Sequence, residues 1–279
     1  MPLKALVPVG GEPMIGRVMR TLLGCERIAR VLVLSQAPKS LAWLAEEPRV
    51  SLAASGSNIS GSLAGVLGTD AAPWPVLVVT ADHPLLTSEM VEHFLDASVG
   101  ADASFAVVER SVMLARFPDA RRTWVRYGAE SYTGANLFTL QSERTLDAVG
   151  RFGRAEADRK RRFRMLWHFG PTLALGAASR SVSLERGMAI LGRRLGIDVE
   201  AEPLPFPEAG IDVDRLHHHV LVRRIIADGK RDDGAGRALA VSVFDLDRTL
   251  TRRGTYTAFL LHAARRRPPW RLLLSRGAR

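Results

Sequence analysis

Val76-Leu77-Val78-Val79-Thr80-Ala81-Asp82-His83-Pro84-Leu85-Leu86 is the stretch on which the fold turns. Four apolar residues, three of them β-branched, read as a buried strand, and an aspartate follows almost at once. A carboxylate just past such a strand lies where open α/β sheets bind their ligands. Downstream, Thr87 offers an N-cap to a helix over 88–97, and Ser104-Phe105-Ala106-Val107-Val108 gives the next strand. Upstream, Val31-Leu32-Val33-Leu34 is another buried strand, stopped by Ser35-Gln36-Ala37-Pro38, and a helix is expected around 61–69. Residues 13–24 set Ile15, Val18, Met19, Leu22 and Leu23 on one helical face, with Arg17, Arg20 and Thr21 opposite. Strand and helix alternate, which predicts a doubly wound α/β fold with a parallel sheet.

Two further strands are expected at Thr123–Tyr127 and Gly134–Leu140, and helices over 142–195. The stripe Leu184, Met188, Leu191, Leu195 reads as core, and the basic run from Arg159 to Arg164 as a solvated helix face. Pro203, Pro205 and Pro207 mark an extended edge before Ile211-Asp212-Val213-Asp214 and a final helix to about Ala227. The polar, glycine-rich stretch that follows reads as a linker over 229–238. Residues 1–228 then form one domain, and 239–279 begin a second that is too short to bury its own core.

The chain has 279 residues, 47% hydrophobic and 24% charged, enough apolar material for a packed core. Mean hydropathy is +0.02, and no apolar run is long enough to span a membrane. Cys25 stands alone and no secretory signal opens the sequence, so a cytoplasmic location is expected. The net charge of +10 suggests an anionic macromolecular partner until it is located: nine arginines and no acid follow Asp247, leaving residues 1–247 nearly neutral. Without basic grooves or aromatic stacking positions, a nucleic-acid partner is disfavoured. Oligomeric state is not legible.

Three segments carry the chemistry in order: Lys4-Ala5-Leu6-Val7-Pro8-Val9-Gly10-Gly11-Glu12-Pro13-Met14-Ile15, Val78 to Leu86, and Gly210-Ile211-Asp212-Val213-Asp214. Together they resemble motifs of the MobA-like NTP transferase family, nucleotidyltransferases with a glycosyltransferase-A-like Rossmann sheet and flanking helices, over about residues 1–228. The resemblance implies transfer of a nucleoside monophosphate from an NTP to a phosphorylated small molecule, with Mg²⁺ as cofactor and release of pyrophosphate. It places Lys4 on phosphate, Asp82 at the strand end, and Asp212 and Asp214 at a second acidic site. It also assigns Gly56, Ser57 and Ser62 to the nucleotide, and Gly134 and Asn136 to the acceptor.

Charge arithmetic agrees with this reading. In-line attack on an α-phosphorus builds negative charge that a cation and a metal must offset, and carboxylates must hold the metal. Asp212 and Asp214 alternate on an extended segment, so only one is expected to be a direct ligand, and either could be. His217-His218-His219 diverge around a helix and are expected at solvated positions rather than on one metal. They also stand where the family commonly carries acids.

A second resemblance follows the linker. Val241-Ser242-Val243-Phe244-Asp245-Leu246-Asp247-Arg248-Thr249-Leu250-Thr251 is similar to the first motif of haloacid-dehalogenase-like phosphatases, in the phosphoserine-phosphatase-like branch. It implies Asp245 as nucleophile and Asp247 as general acid and base, in a domain whose later motifs have no room. At the other end only Met1-Pro2-Leu3 precede Lys4, whereas the family places a strand and a glycine-rich phosphate loop there. The chain is therefore expected to lack both and to bind NTP weakly. The alternative to an enzyme is a non-catalytic, basic interaction protein that binds anionic partners through its arginine-rich tail.

Overall fold

The computed structural model describes residues 3–56, 58–157 and 182–232. Ser57, Asp245, Asp247, the 159–164 basic run and the phosphatase-like segment lie outside the described residues. Residues 15–212 form one compact unit, and Leu3–Met14 with Val213–Asp232 belong to another.

The larger unit contains α1 (Met14–Leu23, its first residue counted with the other unit), β3 (Val31–Ser35), β4 (Val50–Ala54), α2 (Ile59–Ala64), β5 (Val76–Val79), α3 (Ser88–Ala97), β6 (Ala103–Glu109), α4 (Arg110–Arg116), β7 (Val125–Tyr127), β8 (Glu130–Leu140), α5 (Leu146–Ala157), α6 (Leu184–Leu195) and β9 (Val199–Pro203). Helix α1 buries Ile15, Val18, Met19 and Leu22, the face its periodicity predicts. Thr87 caps α3, its hydroxyl accepting from the Met90 N–H at 3.3 Å. On α6, Met188 is buried with Ala148, Ile197 and Val199, and Leu184, Leu191 and Leu195 pack around them, so that stripe is core.

The sheet departs from a purely parallel one. β5, β8, β6 and β9 lie side by side in that order, with β7 also on β8. β9 runs parallel to β6, but β8 is antiparallel to both β5 and β6. The result is a mixed sheet with flanking helices. β3 and β4 form a separate parallel pair. Both Val31–Leu34 and Val76–Val79 are half-buried rather than buried, each strand having one paired neighbour among the described residues.

Other boundaries shift too. The helix expected over 61–69 is the single short α2, because Gly65 caps it. Ile211–Asp214 is not a strand; a 3₁₀ turn over Pro207–Gly210 leads into it. In the smaller unit, β1 (Pro8–Val9) and β2 (Glu12–Pro13) make a hairpin whose turn residues Gly10 and Gly11 have φ of 62° and 95°. Two consecutive positive φ values are what a two-residue hairpin turn demands of glycine. Helix α7 (Leu216–Asp232) runs through residues 229–232, which composition had assigned to a linker. Four polar or glycine residues at the end of an established helix extend it at little cost.

Candidate active site

Asp82 follows β5 by three residues and is half-buried. Thr80 Oγ1 donates to its Oδ1 at 2.6 Å, fixing the carboxylate at the strand end. Asp212 arrives from the far end of the unit. The turn over Pro207–Gly210 packs against α4, β6 and β8, and Gly210 makes that approach: a Cβ there would fall 2.4 Å from Met113 Cε and 3.0 Å from Thr133 Cγ2. Two residues on, the Asp212 side chain is 10% exposed and meets two donors. Arg122 Nη1 donates to Oδ1, and Asn136 Nδ2 donates to Oδ2 at 2.9 Å.

Asn136 reaches Asp212 through a defect in the sheet. The register between β6 and β8 shifts between Phe105 and Val107, so Ala135, Asn136 and Leu137 stand opposite Ala106 alone. Asn136 takes a φ of 56°, the left-handed region that asparagine tolerates better than most residues. The bulge turns its amide toward the acid.

One oxygen of Asp82 and one of Asp212 lie within 4.8 Å of each other. Octahedral Mg²⁺ takes oxygens at about 2.1 Å, so two of its ligands stand at most about 4.2 Å apart, a spacing of the order this pair offers. Two hard carboxylates with the remaining positions left to water and phosphate are the donor set that Mg²⁺ prefers. The residues fit the ion.

His83, next to Asp82, is 1% exposed. Burial pushes its imidazole down to about 4; the Glu208 backbone and the Asp212 and Asp82 carboxylates oppose this less strongly. It is therefore neutral at pH 7, and neither ring nitrogen has a partner at full hydrogen-bond geometry. The cation that meets Asp212 is Arg122, not His83.

In the smaller unit Lys4 Nζ and Asp214 Oδ1 are 2.7 Å apart, with Asp214 exposed. Asp212 is buried and Asp214 exposed. The expectation of solvated histidines is overturned for two of the three. His218 Nδ1 accepts from the Asp214 N–H at 3.3 Å, and His219 Nε2 lies 3.0 Å from the Pro8 carbonyl oxygen, both side chains buried. Helix α7 faces β1, so two consecutive positions enter the packing; His217 alone is exposed.

The Ser62 hydroxyl accepts from the Gly56 N–H at 2.9 Å and donates to the Asn58 carbonyl at 2.7 Å. Asn58 in turn caps α2 through the Gly61 N–H at 2.7 Å. That side-chain chemistry is spent within the turn. Gly134 is exposed on β8, two residues before Asn136. Sequence reasoning did not single out Thr80 or Arg122. Thr80 is signalled by its place two residues before the acid, whereas Arg122, among many arginines in an irregular segment, carries no signal.

The mixed α/β sheet with its flanking helices is a nucleotidyltransferase-like fold. The chain belongs to the MobA-like NTP transferase domain family, whose sequence pattern matches residues 3–165. It is similar to a hypothetical transferase structure from Thermus thermophilus at 29% identity and a TM-score of 0.67, over 77% of this chain and 90% of that one. In fold it also matches the 4-diphosphocytidyl-2C-methyl-D-erythritol synthase of Anaerococcus prevotii, at 8% identity and a TM-score of 0.52, over 80% and 93% of the two chains. No curated protein matches it. No helix among the described residues is long and apolar enough to cross a membrane.

Proposed function

We propose that this chain transfers a nucleoside monophosphate from an NTP to a phosphorylated small molecule, releasing pyrophosphate in a Mg²⁺-dependent reaction. The observation that carries the reading is the approach of Asp82 and Asp212 to within 4.8 Å in a family of nucleotidyltransferases. An acceptor phosphate oxygen attacks the α-phosphorus, the new P–O bond forms, and the bond to the bridging oxygen breaks with pyrophosphate as leaving group. When bound, Mg²⁺ supplies charge neutralisation for the phosphates in that displacement.

The chain's residues have separable parts in this reading. Asp82 and Asp212 hold the ion, with Thr80 and Asn136 orienting the two carboxylates, since hydrogen-bonded ligands lose less freedom on binding. Lys4 offers its ammonium to phosphate oxygen and exchanges Asp214 for it. That exchange costs little, because an exposed ion pair contributes on the order of 0–1 kcal/mol. Asp214 then serves as the release partner for Lys4. The turn at Gly56–Ser62 receives the nucleotide through its backbone, and Gly134 leaves the strand open beside Asn136 for the acceptor.

Pyrophosphate release measured across the common NTPs and a panel of phosphorylated sugars, polyols and alcohols tests the reading. A single NTP and acceptor class that turn over with Mg²⁺, and not with EDTA, is the expected result. Release that ignores chelation would contradict it.

A further inference from the structure

Arg122 stands in the irregular segment between α4 and β7, yet its side chain is about as buried as the acid it meets, 12% exposed against 10% for Asp212. Nη1 donates to Asp212 Oδ1, while Nε, also buried, has no hydrogen-bond partner. A guanidinium is a planar fork suited to two oxygens of one carboxylate or phosphate. Here a single arm, Nη1, meets Oδ1, while Asn136 donates to Oδ2. Nε is left over, and a buried orphan donor is costly. A state of the protein that uses this donor recovers that cost.

The charge balance says what that state is. Arg122 gives Asp212 the positive charge that a divalent cation would otherwise give, and each weakens the hold of the other on the same carboxylate. We infer that Arg122 reads a phosphate oxyanion of the substrate: it neutralises Asp212 in the absence of metal and turns its guanidinium to phosphate when a cation takes over the acid. This rests on the assignment of Asp82 and Asp212 to the metal. Arg122 is then both placeholder and specificity determinant. It keeps the buried carboxylate compensated between turnovers, and it adds a bidentate contact that a substrate lacking phosphate there cannot make.

The test measures binding on the full chain, with Mn²⁺ as the metal probe read by calorimetry and by the signal of free Mn²⁺ in electron paramagnetic resonance. Tripolyphosphate represents the nucleotide side and glycerol 3-phosphate an acceptor's monoester. Without anion, Arg122→Met should bind Mn²⁺ at least about fivefold more tightly than wild type, because a competing charge is gone. With Mn²⁺ saturating, it should bind one of the two anions at least about tenfold more weakly, the size of a lost charge-assisted hydrogen bond. The anion that weakens identifies which phosphate is read. Both changes are required: unchanged or weaker Mn²⁺ binding, or unchanged binding of both anions, makes Arg122 a structural residue and overturns the inference. Should Arg122→Met fail to melt cooperatively, Arg122→Lys carries the comparison. It keeps the charge without the fork, so wild-type Mn²⁺ affinity with weakened anion binding is expected, and wild-type anion affinity would overturn the proposal. Asp82→Asn separates the two levels. Mn²⁺ binding that Asp82→Asn leaves untouched removes the metal assignment and the inference with it, whereas loss in Asp82→Asn with no effect at Arg122 removes the inference alone.

Discussion

His83 and Cys25 are buried polar groups whose surroundings hold them neutral, and each makes a measurable demand. The unfolded chain protonates His83 near pH 6.5, the folded one only near 4, because burial penalises the imidazolium. Between those values the unfolded state binds more protons, so stability falls as pH falls. The contribution of His83 is fully present above about pH 6.5 and lost by about pH 4, an effect on the order of 3 kcal/mol at most. Denaturation midpoints measured over that window should slope in the wild type and flatten in His83→Gln; equal slopes would show that other groups govern the acid limb. Cys25 is 1% exposed, and its thiol donates to Glu92 Oε1 at 2.6 Å. Burial, then the hydrogen bond and charge of Glu92, push its pKa up to about 11. Since the thiolate is the nucleophile, a disulfide reagent at pH 8 should label Cys25 far more slowly in the folded protein than in denaturant. Equal labelling rates would contradict that environment.

At the level of elements, the 3₁₀ turn before Asp212 and the bulge in β8 bring the site together. Gly210→Ala would force a methyl against Met113, Thr133 and Val108, at a cost of about 1–3 kcal/mol, and would shift the Asp212 carboxylate. Chemical denaturation reads the first effect and Mn²⁺ affinity the second; a variant as stable as wild type would show that the turn can relax. These elements also mark the limit of what the sequence discloses. The α1 face, the Thr87 cap, β5 ending before Asp82 and the α6 stripe are all local patterns of period and capping, and they are legible. The antiparallel course of β8 is not, because alternation of side chains is the same in either direction and only the pairing partner decides it. The bulge at Asn136 is equally silent, since it exists only relative to β6. Asp82, Asp212 and Asn136 were nameable from motif resemblance, but their contact through a hydrogen bond or close approach was not. Arg122 escapes because its segment has no period, and the burial of His219 because it depends on β1, some two hundred residues away in the chain.

For the whole chain, every described element ends by Asp232, and the family pattern lies within residues 3–165. A chain stopped after Asp233 is expected to retain a cooperative melt by circular dichroism, since the polar, glycine-rich stretch around that cut carries few apolar residues to bury; its loss would show that later residues support these elements. The central claim is that Asp82 and Asp212 together make a metal-dependent nucleotidyl transfer site. It is tested most directly by replacing one oxygen of that pair. Asp82→Asn changes charge at nearly constant volume, so the fold should survive while the metal loses half of its carboxylate charge. With the NTP and acceptor that the wild type uses, the account predicts pyrophosphate release reduced by at least about two orders of magnitude in Asp82→Asn, with an unchanged melting curve. Near-wild-type release by a folded Asp82→Asn protein would contradict it.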